Sequence, residues 1–371
     1  MSRVKLGDVA VERRESFKGD KSRYTVVGLE HLTPEEIKLT AWDESGDNTF
    51  TKIFHKGDIL FGRRRAYLKK AALAPFDGIC SGDITVIEAK PNYILPELLP
   101  FVIQNDTFFD FAVGKSAGSL SPRVKWEHLK EYEFNLPSLE EQKSISKILW
   151  SVNDTIEKYK KLTELTDELV KAKFIEMFGN PLLNEKKWPV KKMKDIAPSL
   201  PYNGEISNSN NLYWLLNLDM VESNTGRIIE KIYVSMNEIS QSTTTFSNEY
   251  VLFSKLRPYL NKVVIPDDSG YATSELIPML PNPNLIKQVY LAHMLRGDEF
   301  LSFISTQVSG TKMPRVTMNV FWNFDVMLPP LNLQKQFANF VEQSDESKSK
   351  LERATTTAKA MMKKIIAENL G

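Results

Sequence analysis

The chain contains a single cysteine, Cys80, among its 371 residues. One cysteine cannot form an internal disulfide or a cysteine-based zinc site, so we expect an intracellular protein. The four histidines, His31, His55, His128 and His293, are far apart and have no metal-ligand spacing. No apolar run approaches the about 18 residues of a membrane-spanning helix, and the N-terminus lacks the apolar stretch of a signal peptide.

An excess of charge of one sign is also missing, since 48 Lys and Arg residues face 47 Asp and Glu residues. This balance excludes a protein that coats DNA through its overall charge, but it allows a local basic groove. Neither a glycine-rich phosphate loop ending in Gly-Lys-Ser/Thr nor a Pro-Asp-(x)-Glu-x-Lys nuclease cluster occurs in the sequence. A self-sufficient nuclease is therefore a poor interpretation.

The sequence contains a tandem duplication. Residues 60–70 resemble residues 252–262, at an offset of 192. The same offset aligns Gly78 with Gly270, Asp83 with Glu275, 118–119 with 310–311, 122–124 with 314–316, Gln142 with Gln334 and Gly179 with Gly371. Near the N-terminus the offset falls to 187, where 5–10 resemble 192–197. Each copy is larger than a solenoid repeat, and we interpret it as a domain with an added helix.

The first part of each copy has mixed secondary structure. Residues 58–61 and 83–87 are short, apolar and β-branched, which predicts strands. Residues 94–111 predict a helix or a helix pair, and the spacing of apolar residues in 286–304 is clearly helical. His293 lies on that helical face, where we interpret it as a packed core residue. This part of the copy is therefore α+β.

A long helix forms the second part of each copy. Ser138 and Glu141 form a predicted capping box at its start, and Gly179 followed by Asn180-Pro181 ends it. About 40 residues make a rod of about 60 Å. Apolar residues recur at steps of three or four and predict a seam, at Ile145, Leu149, Val152, Ile156, Leu162 and Leu169 in the first copy and Phe337, Val341, Leu351, Ala358, Met361 and Ile365 in the second.

The two helices can bury their seams against each other as a coiled coil. The link 180–190 is short and leads directly from the end of the first helix into the second domain, which favours an antiparallel pair. The predicted fold is thus α+β, with two pseudo-symmetric domains separated by two long antiparallel helices. The corresponding segments are 1–137 and 181–329 for the domains, and 138–180 and 330–371 for the helices.

Three motifs carry a resemblance to a known family. These are Leu136-Pro137-Ser138-Leu139-Glu140-Glu141-Gln142 with its echo Leu328-Pro329-Pro330-Leu331-Asn332-Leu333-Gln334, then Met177-Phe178-Gly179-Asn180-Pro181 with Trp188, and Gly57-Asp58-Ile59-Leu60. Over its whole length the sequence resembles the specificity subunit of a type I restriction–modification enzyme. The second copy departs from the third motif, with Glu249-Tyr250-Val251-Leu252 in place of Gly-Asp-Ile-Leu.

The resemblance implies that two target-recognition domains each recognise one half of a split DNA site, while the helices set the spacer and dock two methyltransferase subunits. Two restriction subunits then join. S-adenosylmethionine belongs to the methyltransferase subunits, and ATP and Mg²⁺ belong to the restriction subunits, so this subunit holds no cofactor, metal or catalytic residue. The resemblance also implies adenine methylation, ATP-dependent cleavage and a prokaryotic cytoplasmic location.

Candidate DNA-binding residues cluster in a basic segment of each copy. They are Arg63, Arg64, Arg65, Tyr67, Lys69 and Lys70 in the first copy, and Lys255, Arg257, Tyr259 and Lys262 in the second. Cations suit phosphates, and their donors also suit base edges. The alternatives are a solvated strand–turn face and, for Arg65 with Arg257, a structural salt bridge.

A second candidate is the loop before each long helix. It offers Ser116, Ser119, Ser121, Arg123 and Lys125 in the first copy, and Thr311, Lys312 and Arg315 in the second. Glycine in such a loop lets the backbone approach a phosphate that hydroxyls and cations can bind. The alternative is an ordinary connecting loop. Residues that differ between copies, such as Leu120 and Lys312, are better candidates for base recognition.

A non-DNA-binding scaffold that dimerises partner subunits is the alternative function. Recognition of DNA predicts an affinity that falls steeply with salt, whereas a scaffold does not.

Overall fold

The computed structural model describes residues 2–20, 24–44, 49–206 and 208–371. The chain forms two compact units, and each is described by itself. Unit 1 comprises Met1–Lys161 and Leu351–Gly371, and unit 2 comprises Leu162–Lys350. Each unit therefore contains one mixed domain and half of each long helix, whereas the sequence treats domains and helices as separate segments. Within the described ranges, no helix combines the length and the apolar character needed to cross a membrane.

Unit 1 contains short strands and helices around three sheets. The strands are β1 (Ser2–Lys5), β2 (Ala10–Glu12), β3 (Val26–Val27), β4 (Lys52–Phe54), β5 (Ile59–Gly62), β6 (Ala71–Leu73), β7 (Gly78–Cys80), β8 (Ile84–Ala89) and β9 (Glu133–Leu136). They pair as β1-β9, β2-β8-β5-β6 and β3-β7-β4. The helices are α1 (Leu6–Val9), α2 (Leu99–Ile103), α3 (Asp106–Gly114), α4 (Trp126–Leu129) and the first half of α5 (Leu139–Phe178).

Unit 2 repeats this plan with more strands. They are β10 (Val190–Lys192), β11 (Asn208–Ser209), β12 (Leu212–Leu216), β13 (Ile232–Ser235), β14 (Thr244–Phe246), β15 (Val251–Ser254), β16 (Val263–Val264), β17 (Gly270–Ala272), β18 (Leu276–Met279), β19 (Val308–Ser309), β20 (Arg315–Val316) and β21 (Asp325–Met327). The sheets are β10-β21, β16-β15-β18, β19-β20 and β11-β12-β17-β14 with β13 on β12. The helices are α6 (Met193–Ile196), α7 (Gln288–Arg296), α8 (Asp298–Thr306) and α9 (Met318–Trp322). The second half of α5 and the first half of α10 (Leu331–Leu370) also belong to unit 2, and the second half of α10 belongs to unit 1.

The α+β prediction is confirmed, and so are its main elements. The strands predicted at 58–61 and 83–87 are β5 and β8, and both predicted helical segments are helix pairs, α2–α3 and α7–α8. His293 is half-buried beside the unit 2 core, with its ring edge-on to the core residue Phe337 at 5.3 Å between centroids, which agrees with the predicted packing role. Cys80 is buried, and burial raises the pKa of its thiol to about 12.

The ends of α5 follow the sequence signals. The Ser138 backbone N–H donates to Glu141 Oε2 at 2.9 Å and the Glu141 N–H donates to Ser138 Oγ at 3.4 Å, which completes the capping box. Gly179 adopts a left-handed φ of 82° directly after the last helical residue, as a C-terminal glycine does.

The two long helices are antiparallel within each unit. In unit 1 the early residues Ile145, Leu149 and Ile156 of α5 share one core with the late residues Ile366 and Leu370 of α10. In unit 2 the late residues of α5 share a core with the early residues of α10, as an antiparallel pair requires. These residues are Val170, Phe174, Phe178, Phe337 and Val341. The predicted direction of the pair is confirmed.

Part of the predicted seam is wrong. Leu162, Leu169 and Met361 are exposed, with 47%, 54% and 54% of their surface accessible. The seam passes instead through half-buried polar positions, and two of these are held by ion pairs: Lys160 with Glu36 in unit 1, and Asp167 with Lys348 at 2.8 Å in unit 2. These polar residues interrupt the apolar stripe. A prediction that follows only apolar residues therefore assigns the seam to a neighbouring face of the helix.

The remaining predicted seam residues lie at or beside the cores. Val152, Ala358 and Ile365 are partly buried against the unit 1 core, and Leu351 is half-buried. Met362, next to exposed Met361, occupies the core position instead.

Candidate nucleic-acid interface

The two basic segments of each copy lie side by side. We call residues 63–70 and 255–262 the basic turns, and residues 117–123 and 309–315 the tip loops. In unit 1 the Arg65 N–H donates to the Pro122 carbonyl at 2.8 Å, and the Val124 N–H donates to the Arg63 carbonyl at 3.0 Å. These backbone hydrogen bonds join two segments that are more than fifty residues apart in sequence.

Unit 2 repeats this junction at the same offset. The Arg257 N–H donates to the Pro314 carbonyl at 2.7 Å, and the Val316 N–H donates to the Lys255 carbonyl at 2.8 Å. The duplication therefore extends to individual hydrogen bonds.

Each basic turn is a short 3₁₀ helix between two left-handed residues. Arg65 and Lys69 have φ of 55° and 50°, and Arg257 and Asn261 have φ of 48° and 49°. Left-handed backbone costs a non-glycine residue roughly 1 kcal/mol or more. Both copies keep this conformation at matching positions, so the turn has a defined shape rather than that of a loose loop.

The tip loops are hairpin ends. Ala117 and Arg123 exchange both backbone hydrogen bonds, at 3.0 and 2.9 Å, and in unit 2 β19 pairs with β20 with Ser309 opposite Arg315. Each tip has a glycine of positive φ after its first paired residue, Gly118 at 114° and Gly310 at 88°. A five-residue tip, 118–122 or 310–314, therefore projects from each paired base.

Arg123 and Arg315 form salt bridges inside their own domains. Arg123 donates to Asp83 from Nε at 2.6 Å and from Nη2 at 3.0 Å, while Arg315 donates from Nη2 to Glu275 at 2.8 Å. Hydrogen bonding from Arg123 lowers the pKa of the Asp83 carboxyl. From the sequence, a structural salt bridge is one alternative for Arg65 and Arg257. The duplicated pair that forms one is instead Arg123 and Arg315.

Several other candidate cations also have partners within their domain. Lys70 Nζ donates to the Leu29 carbonyl at 2.7 Å, and Lys262 Nζ donates to the Leu218 carbonyl at 2.8 Å. Lys69 Nζ lies 2.6 Å from Asp106 Oδ1. These contacts give the three lysines structural roles.

Two candidate serines and Arg64 also make internal contacts. Ser116 Oγ donates to the Ala112 carbonyl at 2.9 Å, and Arg64 Nη2 donates to Ser121 Oγ at 3.1 Å. Arg64 also lies 3.7 Å from Asp83. Arg64 and Ser121 therefore connect the basic turn to the tip loop.

The remaining candidates leave their polar groups available. The guanidinium groups of Arg65 and Arg257 are exposed and have no partner among the residues that the structure describes. Tyr67 and Tyr259, at matching positions, are each 54% exposed. Also without a side-chain partner in the described ranges are Ser119, Lys125, Lys255, Thr311 and Lys312.

Arg63 is an intermediate case. Its Nε is buried, and within the described part of the chain it has no hydrogen-bond partner. Buried donors are rarely left unpaired, so a ligand that reaches this guanidinium would satisfy it.

Asp83 and Glu275 are positioning residues that the sequence prediction omitted. The sequence does contain a signal for them, because the acid (Asp83 and Glu275) and the arginine (Arg123 and Arg315) both recur at the offset of 192. What the sequence cannot show is that residues forty positions apart form a pair.

Comparisons with known proteins identify the family of the chain. The model of the family "Type I restriction modification DNA specificity domain" matches twice, at residues 2–167 and 185–359. The chain belongs to this family and carries two DNA specificity domains.

Two curated relatives are specificity subunits. The chain is 31% identical over 139 residues to the type I restriction enzyme EcoDI specificity subunit of Escherichia coli, covering 34% of this chain and 31% of that protein. It is 24% identical over 330 residues to the MjaIX specificity subunit of Methanocaldococcus jannaschii, covering 78% of this chain and 71% of that protein. The first of these matches thus spans about a third of its relative.

Solved structures share the fold over nearly the whole chain. A type I restriction–modification S subunit from M. genitalium has a TM-score of 0.55 at 12% identity, covering 100% of this chain and 96% of that one. A chain from a study of assembly and conformational transition in a type I R-M system has a TM-score of 0.53 at 17% identity, covering 99% and 97%.

Proposed function

We propose that each domain binds one half of a bipartite duplex DNA target through its basic turn and tip loop. The observation that carries this proposal is the repeated geometry. Each unit holds an arginine, Arg65 or Arg257, whose side chain has no partner in the described part of the chain, and an exposed tyrosine beside a projecting hairpin tip. A function that needs one such surface on each domain accounts for their duplication.

The charges support a division of roles at this surface. Arg123 and Arg315 fix the tips through acids of their own domain, whereas the side-chain donors of Arg65 and Arg257 have no partner among the described residues. Unpaired cations suit phosphates, which position a protein on the duplex without specifying sequence. The pair shared by both copies therefore fits backbone contacts, and residues that differ between copies fit base contacts.

The test is the salt dependence of DNA affinity. We expect the complex with its methyltransferase subunits to bind target duplex with an affinity that falls steeply as salt rises. Arg65→Ala should reduce the slope of log affinity against log salt by about 1, and Arg257→Ala should do the same. Lys56→Ala, which removes an exposed cation elsewhere in unit 1, is the matched control and should leave the slope unchanged.

A flat salt response of the wild-type complex would instead support the scaffold function. An unchanged slope in both arginine variants, with steep wild-type binding, would move the DNA contacts away from the basic turns.

We further propose that the long helices dock a pair of methyltransferase subunits, through which a pair of restriction subunits joins. Leu162, Leu165 and Leu169 support this, since they lie at helical spacing on α5 and are 47%, 44% and 54% exposed. Such a stripe of apolar side chains on one helix face suits a protein partner.

In this proposal the chemistry belongs to the partners. S-adenosylmethionine would bind the methyltransferase subunits, and ATP with Mg²⁺ would bind the restriction subunits, so that the assembly methylates adenine and cleaves DNA with ATP. We assign no catalytic residue and no cofactor to this chain. Its place is the prokaryotic cytoplasm, where the DNA is found.

A further inference from the structure

The two tip loops present different side chains from the same structural position. In unit 1 the third residue of the five-residue tip is Leu120, and in unit 2 it is Lys312. Backbone pairing at 117–123 and 309–315 places both residues at the middle of a hairpin end. The backbone framework is thus common to both units, while the central side chain is apolar in one and cationic in the other.

Leu120 is 89% exposed, although burial of a leucine side chain is favourable. The tip that carries it is held on the basic turn, because Arg64 donates to Ser121 Oγ and the Arg65 N–H donates to Pro122. Leu120 is thus an exposed apolar side chain next to the cations Arg64 and Arg65. A ligand that suits this surface has an apolar group with negative charge around it. Duplex DNA offers this combination, since the thymine methyl group lies in the major groove between phosphate strands.

Lys312 offers the complementary case. Its side chain is exposed and has no partner in the described part of unit 2, and it is flanked by Thr311 and by Met313, which is 48% exposed. An ammonium group in the major groove pairs best with guanine O6 and N7. A two-stranded hairpin end is narrow enough to enter that groove, which is about 12 Å wide.

Building on the proposed DNA recognition, we infer that the tips read different base pairs. Leu120 contacts the C5 methyl group of a thymine in the half-site bound by unit 1. Lys312 donates to guanine O6 and N7 in the half-site bound by unit 2. The half-sites therefore contain a T·A pair and a G·C pair, respectively, at the positions that the tips contact.

Base analogues test the first contact directly. Once sequencing of methylated host DNA has given the target, each thymine is replaced in turn by deoxyuridine, which lacks only the methyl group. We expect one replacement to weaken binding of the wild-type complex by about fourfold, as the loss of one apolar contact implies. Leu120→Ala should bind the two duplexes equally, while Leu183→Ala, which truncates an exposed leucine of unit 2, should keep the wild-type difference.

The second contact is tested with 7-deazaguanine, which lacks the N7 acceptor. One such replacement, in the other half-site, should weaken wild-type binding severalfold and leave Lys312→Met binding unaffected. In cells, Leu120→Lys should change the methylated sequence at one position of one half-site, from T·A toward G·C, with the spacer and the other half-site unchanged.

The inference is overturned if no deoxyuridine replacement affects wild-type binding, or if Leu120→Ala weakens binding to both duplexes by the same factor, so that the difference between them persists. The latter result would assign the leucine to base unstacking or to a protein partner. A half-site without a T·A pair would also overturn it. None of these outcomes affects the proposed function, which fails if the wild-type complex shows no salt-dependent binding to its target or if neither arginine variant changes the salt slope.

Discussion

Arg123 and Asp83 form a two-pronged ion pair, with Nε to Oδ1 at 2.6 Å and Nη2 to Oδ2 at 3.0 Å. In unit 2 Arg315 likewise donates to Glu275 from two nitrogens, Nε to Oε2 at 3.2 Å and Nη2 to Oε1 at 2.8 Å. In both units the arginine is the last residue of a tip loop, and the acid precedes a strand of the domain. The pair therefore anchors the loop that we propose to enter the DNA groove. A planar guanidinium fits this geometry and an ammonium does not.

We expect Arg123→Lys to loosen the tip loop of unit 1 alone. The lysine keeps the charge but loses one prong, and the pair is partly exposed, so the free energy of unfolding should fall by no more than about 1 kcal/mol. Amide hydrogen exchange should accelerate at 117–123 and stay unchanged at 309–315. Arg315→Lys is the mirror control, and faster exchange in both loops from either variant would contradict an independent anchor in each unit.

The same ion pair predicts a pH dependence. Arg123 lowers the pKa of Asp83 in the folded protein, so the stabilisation is present above the unfolded carboxyl pKa of about 3.9 and is lost as pH falls through the lower folded value. Comparing urea denaturation of the wild type and Asp83→Asn should therefore show a stability difference at pH 7 that disappears as the solution becomes strongly acidic. A difference that stayed constant down to pH 2 would show that the charge of Asp83 is irrelevant.

The duplicated pattern singled out both segments of the candidate interface. Because the offset of 192 holds for both segments, the basic turns and tip loops could be singled out together. Their hydrogen bonds to each other could not be predicted, since they depend on where β5 and the loop after α3 meet in space. The same limit explains why the sequence did not assign the salt bridge to Arg123. Its acid, Asp83, is remote in sequence.

The helices show a different limit. Their ends were predictable because caps are local, as Ser138 and Gly179 illustrate. Their buried face was not predictable throughout, because Lys160 and Asp167 are half-buried and satisfied by charges from other elements. Apolar periodicity has no access to such partners.

Gln142→Leu should destabilise unit 1. This side chain is 1% exposed, accepts from the Leu95 N–H at 2.9 Å and donates to the Pro137 carbonyl at 3.0 Å, so it ties the start of α5 to the domain. Leaving a buried donor and acceptor unpaired costs about 1–3 kcal/mol for each group. For the two groups together, urea denaturation should show a loss of about 2–6 kcal/mol.

Gln334 makes the equivalent contacts in unit 2, with Lys287 at 2.7 Å and Pro329 at 2.8 Å. Gln334→Leu should therefore cause a similar loss, whereas Gln336→Leu, two positions along the same helix and exposed, should change stability by less than about 0.5 kcal/mol. Equal effects of both substitutions on α10 would show that the hydrogen bonds of Gln334 are not the cause.

The neighbours Leu169 and Val170 separate the core face of α5 from its exposed face. Val170 is 3% exposed and shares the unit 2 core with Phe174, whereas Leu169 is 54% exposed. Val170→Ala should lower the free energy of unfolding by about 2 kcal/mol, and Leu169→Ala by less than about 0.5 kcal/mol.

If the exposed leucines dock a methyltransferase subunit, Leu169→Ala should instead weaken assembly, measured by analytical ultracentrifugation of mixtures with that subunit. A large stability loss from Leu169→Ala would show that Leu169 packs in the helix seam and is not part of the docking surface.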